Sequence, residues 1–129
     1  LSENIYHEAR GESLQGKLAV AFVVMNRTKS GNYPSDICGV VQERKQFSWY
    51  KGPRSMGKVP KDPIELEAWK DSQRFAKLFM IGYATRMLRD PTHGATHYHA
   101  DYVNPDWGYQ RTVKIGKHIF YNSVLTVAS

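Results

Sequence analysis

The longest apolar run in the chain, Leu18-Ala19-Val20-Ala21-Phe22-Val23-Val24-Met25, leaves no polar position on any side. A run of that length, following Leu14-Gln15-Gly16-Lys17, reads as a helix buried nearly all round, the central post of a core. Ser13 is its expected N-cap, and the polar stretch through Gly31 and Pro34 stops it near Arg27 or Thr28. A different pattern begins at Asp62-Pro63-Ile64-Glu65, with Asp as N-cap, Pro at the first helical position and Glu at the third. Ile64, Leu66, Trp69, Phe75, Ala76, Phe79, Met80, Tyr83, Met87 and Leu88 then keep a helical spacing until Asp90-Pro91, which predicts one long amphipathic helix. Ser35-Asp36 caps a shorter predicted helix over 37–43. The last third alternates, and short strands are predicted over 95–99, 112–115 and 117–121, with turns at Asn104-Pro105 and Gly116-Lys117. The tail, 122–129, has apolar residues that are expected to add a little structure. The expected fold class is α+β, mainly helical, with a central buried helix and a small antiparallel sheet.

Composition narrows this without altering it. The chain has 129 residues, 41% hydrophobic and 23% charged, which suits one domain spanning 1–129 with a real core. No apolar run approaches the roughly 18 residues of a membrane span, so no membrane insertion is expected. A first residue Leu1 reads as a processed or trimmed start, so the lack of a visible leader says nothing about export. Eighteen Lys plus Arg against twelve Asp plus Glu give +6, which favours polyanionic surroundings. The cations are scattered rather than gathered on one element, which argues against nucleic acid as the partner. The single cysteine, Cys38, excludes an internal disulfide and reads as a small buried hydrophobe.

Candidate chemistry starts at Asn4-Ile5-Tyr6-His7-Glu8-Ala9-Arg10-Gly11-Glu12-Ser13. If a helix opening at Ser2 runs through Gly11, Glu8 and Glu12 share a face. Their mutual repulsion and burial beside Ile5 would then raise one carboxyl pKa, as a general acid requires. If Gly11 instead ends the helix, Glu8 stays in its last turn and Glu12 lies beyond, near the start of the next helix. Further along, Gln46-Phe47-Ser48-Trp49-Tyr50 combines aromatics and hydrogen-bonding groups of the kind that suit sugar rings, and 51–61 reads as an irregular, mobile loop. His97-x-His99-x-Asp101, with His93 upstream, is the rival constellation. Residues two apart on a strand share a face, so these groups could converge on zinc, or His97, Tyr98 and His99 could bind substrate at a cleft rim. No Ser lies in a nucleophile elbow.

Six segments in order, "NIYHEARGE", "GKLAVAFVVMNR", "YPSDICGVV", "QFSW", "HYHADYVNPDW" and "KIGKHIFY", resemble the signature blocks of the SleB/CwlJ cell wall hydrolases, which include spore cortex-lytic and phage enzymes. The resemblance implies a lysozyme-like domain that cleaves peptidoglycan between N-acetylmuramic acid and N-acetylglucosamine. It implies Glu8 as the general acid/base, with Glu12 a secondary candidate. It implies a lytic transglycosylase giving 1,6-anhydromuramic ends, with a hydrolytic muramidase as the alternative. Gln46, Phe47, Ser48, Trp49, His97, Tyr98, His99 and Arg10 are the candidate substrate contacts. No metal or cofactor is expected; a zinc-dependent amidase using His97, His99 and Asp101, or a non-catalytic wall-binding module, are the remaining readings. A monomer acting at the bacterial cell wall, on the periplasmic or extracellular side, is expected.

Overall fold

The computed structural model describes residues 1–9, 12–30, 37, 59–105 and 108–122. In order these form α1 (Ser2–Ala9), α2 (Leu14–Lys29), α3 (Pro63–Ala84), β1 (His97–Ala100), β2 (Gln110–Ile115) and β3 (His118–Asn122). The rest of the predicted 37–43 helix, Cys38, most of the 51–61 loop and the tail beyond Asn122 lie outside the described residues.

The apolar run forms α2 as its pattern predicts. Ser13 accepts a hydrogen bond from Gly16 N at 3.2 Å, which satisfies one of the first-turn donors a helix leaves open. Residues Ala19 to Val24 are at most 4% exposed, so the helix is covered on opposite sides at once. On one side Ala21, Phe22 and Met25 meet Ile5 of α1 and Ala76 and Phe79 of α3. On the other, Ala19 and Val23 meet Ala95, Ile115 and Phe120 of the sheet region. Full burial of a side chain such as Phe79 or Phe120 contributes about 1.5–3 kcal/mol.

Asp62 caps α3 by accepting from Ile64 N at 2.9 Å and Glu65 N at 3.2 Å. Trp69, Ser72, Ala76 and Phe79 form its buried stripe. Tyr6 ties α1 to this helix, donating to Glu65 Oε2 at 2.6 Å and meeting Trp69 edge-on at 5.2 Å. The helix is shorter than its apolar spacing predicts. It stops at Ala84, with Thr85 as C-cap and Arg86 in the left-handed region at φ 61°. Leu88 folds back instead of extending the helix: its N–H, and that of Met87, bond to Gly82 O, and its side chain fills the space a Cβ on Gly82 would need.

The strands form an antiparallel sheet in the order β1-β3-β2, with His97 opposite Tyr121 and Ile115 opposite His118. An irregularity between Arg111 and Val113 shifts the β2–β3 register. β1 starts at His97 rather than at Ala95, because Ala95 and Thr96 serve as its lead-in, while Gly116 at φ 57° makes the β2–β3 turn expected from the sequence. The mainly helical α+β architecture, with α2 at its centre and a small antiparallel sheet, is thus the one the pattern predicted.

Candidate active site

Helix α1 ends at Ala9, so Glu8 sits in its last turn and Glu12 falls in the connection to α2, with Glu12 N bonded to Ala9 O at 3.0 Å. The two acids therefore do not pair along one helix face. Glu8 instead opens on a cleft of about 330 Å³ that it lines with Arg27 from α2, Tyr98, His99 and Ala100 from β1, Tyr102 beyond it, and His118 from β3.

Arg27 is fixed by the helix that carries it. It stands in the last turn of α2, is 3% exposed, and donates from Nε to Thr96 O at 2.6 Å. Its guanidinium is the positive end of the cleft's electrostatics. Burial pushes the Glu8 carboxyl above the ordinary carboxylate range, while the neighbouring Tyr98 hydroxyl and the charge of Arg27 pull part of the way back. Tyr98 is pushed well above its usual value, first by burial and then by Glu8. That phenol keeps its proton and is a donor. Its oxygen is enclosed, and the contact with Glu8 is looser than a strictly oriented hydrogen bond.

Chemically, this is a carboxyl group that holds a proton more firmly than an exposed one, beside two groups that stabilise it once the proton has left. Such a group can donate a proton and take one back.

His99 is anchored from both nitrogens, Nδ1 at 2.7 Å from Ala100 O and Nε2 at 2.9 Å from Tyr121 Oη. Only a ring N–H can face a carbonyl, so Nδ1 carries the proton and Nε2 accepts from Tyr121 in the neutral ring. His97 does not line the cleft. It stacks on Tyr109 at 4.5 Å and pairs Nδ1 with Thr96 Oγ1 at 3.0 Å, and burial, aided by Arg27, lowers its pKa to about 4. Asp101 lies past the end of β1, with its carboxylate 3.6 Å from Lys114 Nζ.

The structure thus brings Glu8, Tyr98 and His99 together and leaves His97 and Glu12 off the cleft wall. The set His97, His99 and Asp101 does not converge, and among the described residues no three His, Cys, Asp or Glu are arranged to hold a metal ion. Arg10, Gln46, Phe47, Ser48 and Trp49 lie outside the described residues. Sequence reasoning missed Arg27, Ala100, Tyr102 and His118. A charged residue closing an otherwise apolar helix was the available signal for Arg27, and a lone His in "KIGKHIFY" for His118.

A mainly helical domain thus holds a carboxyl group of raised pKa in a cleft of phenol, imidazole and guanidinium groups, the kind of arrangement acid–base chemistry uses. The sequence profile described as Cell Wall Hydrolase matches residues 11–121, just beyond Glu8, and the chain belongs to that family. The chain is 31% identical over 129 residues to a spore cortex-lytic enzyme of Halalkalibacterium halodurans, covering 95% of this chain and 33% of the relative. It is 33% identical over 128 residues to the spore cortex-lytic enzyme of Bacillus subtilis, covering 93% of this chain and 35% of that one. It therefore spans about a third of the length of these relatives.

Among solved structures, the catalytic domain of the Bacillus cereus SleB protein superposes with a TM-score of 0.64 at 27% identity, covering 94% of this chain and 85% of that one. The catalytic domain of the germination-specific lytic transglycosylase SleB from Bacillus anthracis gives 0.65 at 28%, covering 94% and 89%. The fold is that of the SleB catalytic domain.

Proposed function

We propose that the chain cleaves the glycan strand of peptidoglycan between N-acetylmuramic acid and N-acetylglucosamine as a lytic transglycosylase, with Glu8 as its acid and base. The observation that carries this reading is the enclosed Glu8 carboxyl group, its pKa raised by burial and its anion supported by Tyr98 and Arg27.

Protonated Glu8 gives its proton to the glycosidic oxygen as the bond from muramic C1 breaks. The Glu8 anion, stabilised by Tyr98 and Arg27, then takes the proton of the muramic C6 hydroxyl while O6 closes on C1. The products are an N-acetylglucosamine end bearing a free hydroxyl and a 1,6-anhydromuramic end. Enzymes that use two carboxyl groups place them about 5–9.5 Å apart on either side of the bond. The described wall of this cleft supplies one, Glu8, which favours the single-acid route over a hydrolytic muramidase. The likeness to the Bacillus anthracis SleB domain, itself a lytic transglycosylase, supports the same choice. Tyr98 and His99 face the sugar, and the +6 charge draws the domain, as a monomer, to the anionic wall on the periplasmic or extracellular side.

Mass spectrometry of fragments released from purified peptidoglycan tests this. Anhydromuramic ends are expected from the native protein, and Glu8→Gln is expected to lose about 10²–10⁴-fold in rate. Reducing muramic ends would make it a muramidase. Unchanged release by Glu8→Gln, or release of stem peptides alone, would remove the glycan-cleaving assignment to Glu8. Glu8→Gln should fold at least as stably at neutral pH. A carboxyl group whose folded pKa lies above its unfolded one loses stability as pH rises through that range, and Gln removes the cost.

A further inference from the structure

Glu12 stands off the cleft wall, yet it is held as firmly as a catalytic group. Its side chain is 14% exposed, and its Oε1 lies 3.5 Å from Nδ1 of His118, itself 13% exposed. Two glycines from separate elements leave the room it occupies. A Cβ on Gly16, in the first turn of α2, would come within 3.0 Å of Glu12 Cβ and 3.1 Å of Oε2, and a Cβ on Gly116, in the β2–β3 turn, within 2.7 Å of Oε2. A carboxyl group enclosed this way needs a polar partner, and the His118 imidazole faces it.

The ring of His118 is held in place from its sides. It meets Tyr98, the partner of Glu8, edge-on at 5.1 Å and Phe120 at 6.3 Å. Its Nδ1 is enclosed and has no oriented hydrogen-bond partner among the described residues, Glu12 Oε1 facing it at 3.5 Å, which leaves Nε2 as the nitrogen on the side of the cleft that His118 lines. The titratable and charged groups around the ring are Glu12 from the α1–α2 connection, Asp101 beyond β1, and His99 and Tyr98 from β1. Burial lowers the imidazole's pKa and outweighs the opposing pull of Glu12 and Asp101, with His99 adding to the lowering, so the ring is neutral at pH 7. A neutral imidazole carries one N–H, and an ionised carboxylate can only accept.

We propose that Glu12 is a positioning residue and His118 a substrate-binding residue: the Glu12 carboxyl group, 3.5 Å from Nδ1, holds the ring proton on that nitrogen by its charge, so that Nε2 faces the cleft as an acceptor for a hydroxyl group of the bound saccharide. Only the identity of the ligand rests on the glycan-cleaving reading. An acceptor nitrogen selects a hydroxyl or amide donor and gives nothing to an acceptor-only anion. Glu12, placed as a secondary acid by the sequence, thus acts one residue removed from the substrate.

The test uses the native chain first. Long-range ¹H–¹⁵N spectra at neutral pH are expected to show His118 as the Nδ1–H tautomer. Its Nε2 signal is expected to move when peptide-free glycan oligosaccharides are added to the Glu8→Gln protein, which binds without turnover. Glu12→Gln is expected to lower the His118 pKa and mix its tautomers, a readout that a merely structural role would not move. His118→Ala should weaken glycan binding about three- to tenfold, and His118→Gln, whose amide oxygen accepts, should keep part of it. An Nε2–H tautomer in the native protein, or an Nε2 signal unmoved at saturating glycan, would overturn the assignment. Turnover by Glu8→Gln would instead sink the Glu8 reading and leave the tautomer result standing.

Discussion

Replacing Arg27 by Met removes the cleft's buried cation while keeping much of its volume. The guanidinium is 3% exposed and donates to Thr96 O at 2.6 Å, a charge-assisted bond contributing about 1.5–3 kcal/mol. Releasing a buried charge from its desolvation cost offsets part of that loss, so a net destabilisation of about 1–2 kcal/mol follows. For a chain of 129 residues this lowers Tm by about 4–8 °C. The chemical consequence has a definite sign. Arg27 lowers the pKa of Glu8, so its removal raises it. If Glu8 must be protonated to act, activity is lost as pH rises through that pKa, and the alkaline limb of the pH profile therefore moves to higher pH in Arg27→Met. At the optimum, the Glu8 anion of the proposed mechanism would lose its counter-charge, and kcat is expected to fall tenfold or more on the scale of about 10²–10³ for a transition-state donor. Fragment release from peptidoglycan across the acid-to-alkaline range, beside a thermal melt, measures both. An alkaline limb that moved to lower pH, or an unshifted profile with unchanged kcat in a folded variant, would refute the coupling of Arg27 to Glu8.

Acid sensitivity follows from His97. Its folded pKa of about 4 lies below the ordinary 6.5 of the unfolded chain, which therefore binds the extra proton first, and stability falls as pH drops from 6.5 towards 4. With the ring partly exposed, the loss is on the order of 1–2 kcal/mol after allowance for solvent screening. His97→Gln should flatten the decline of Tm over that window, and an equally steep decline would remove His97 as its cause. A separate expectation concerns Asp90, which accepts from Asn26 Nδ2 at 2.8 Å, Thr92 N at 2.8 Å, Thr92 Oγ1 at 2.6 Å and Gly94 N at 2.9 Å. Asp90→Ala should cost about 2–3 kcal/mol in urea unfolding and also depress activity, and a loss below about 0.5 kcal/mol would show that water replaces these bonds.

The elements whose signals are local were legible in the sequence. Ser13 and Asp62 cap their helices with their own side chains, and the run from Leu18 to Met25 admits no solvent-facing side. The end of α3 was not legible, because Met87 and Leu88 keep the helical spacing although Met87 is exposed and Leu88 is covered only by folding back over Gly82. Spacing cannot distinguish a turn that continues from one that doubles back onto the same face. In the site, Glu8 stood out because its neighbours in sequence carry chemistry. Arg27 did not, since Thr96, which it holds, lies 69 positions away. Glu12 was legible as a carboxyl group but not in its surroundings, because its room comes from Gly16 and Gly116 and the imidazole facing it from β3.

The last turn of α2 explains how so small a sheet can place Tyr98 against Glu8. Among the described residues β1 has one strand neighbour, β3, and pairing on one side alone leaves it less constrained relative to the helices. Two consecutive side chains of α2 remove that freedom. Asn26 donates to Ala95 O at 2.9 Å and Arg27 to Thr96 O at 2.6 Å, so the lead-in to β1 is gripped at successive carbonyls. Successive carbonyls of extended backbone point to opposite sides, so the pair fixes rotation as well as position. Tyr98 follows two residues later, and its ring is thereby set by the same helix whose apolar faces join the two halves of the core. The distance between Glu8 and the Tyr98 phenol is then governed by the packing of α1 on α2 and α3, contacts between buried side chains, rather than by the hairpin.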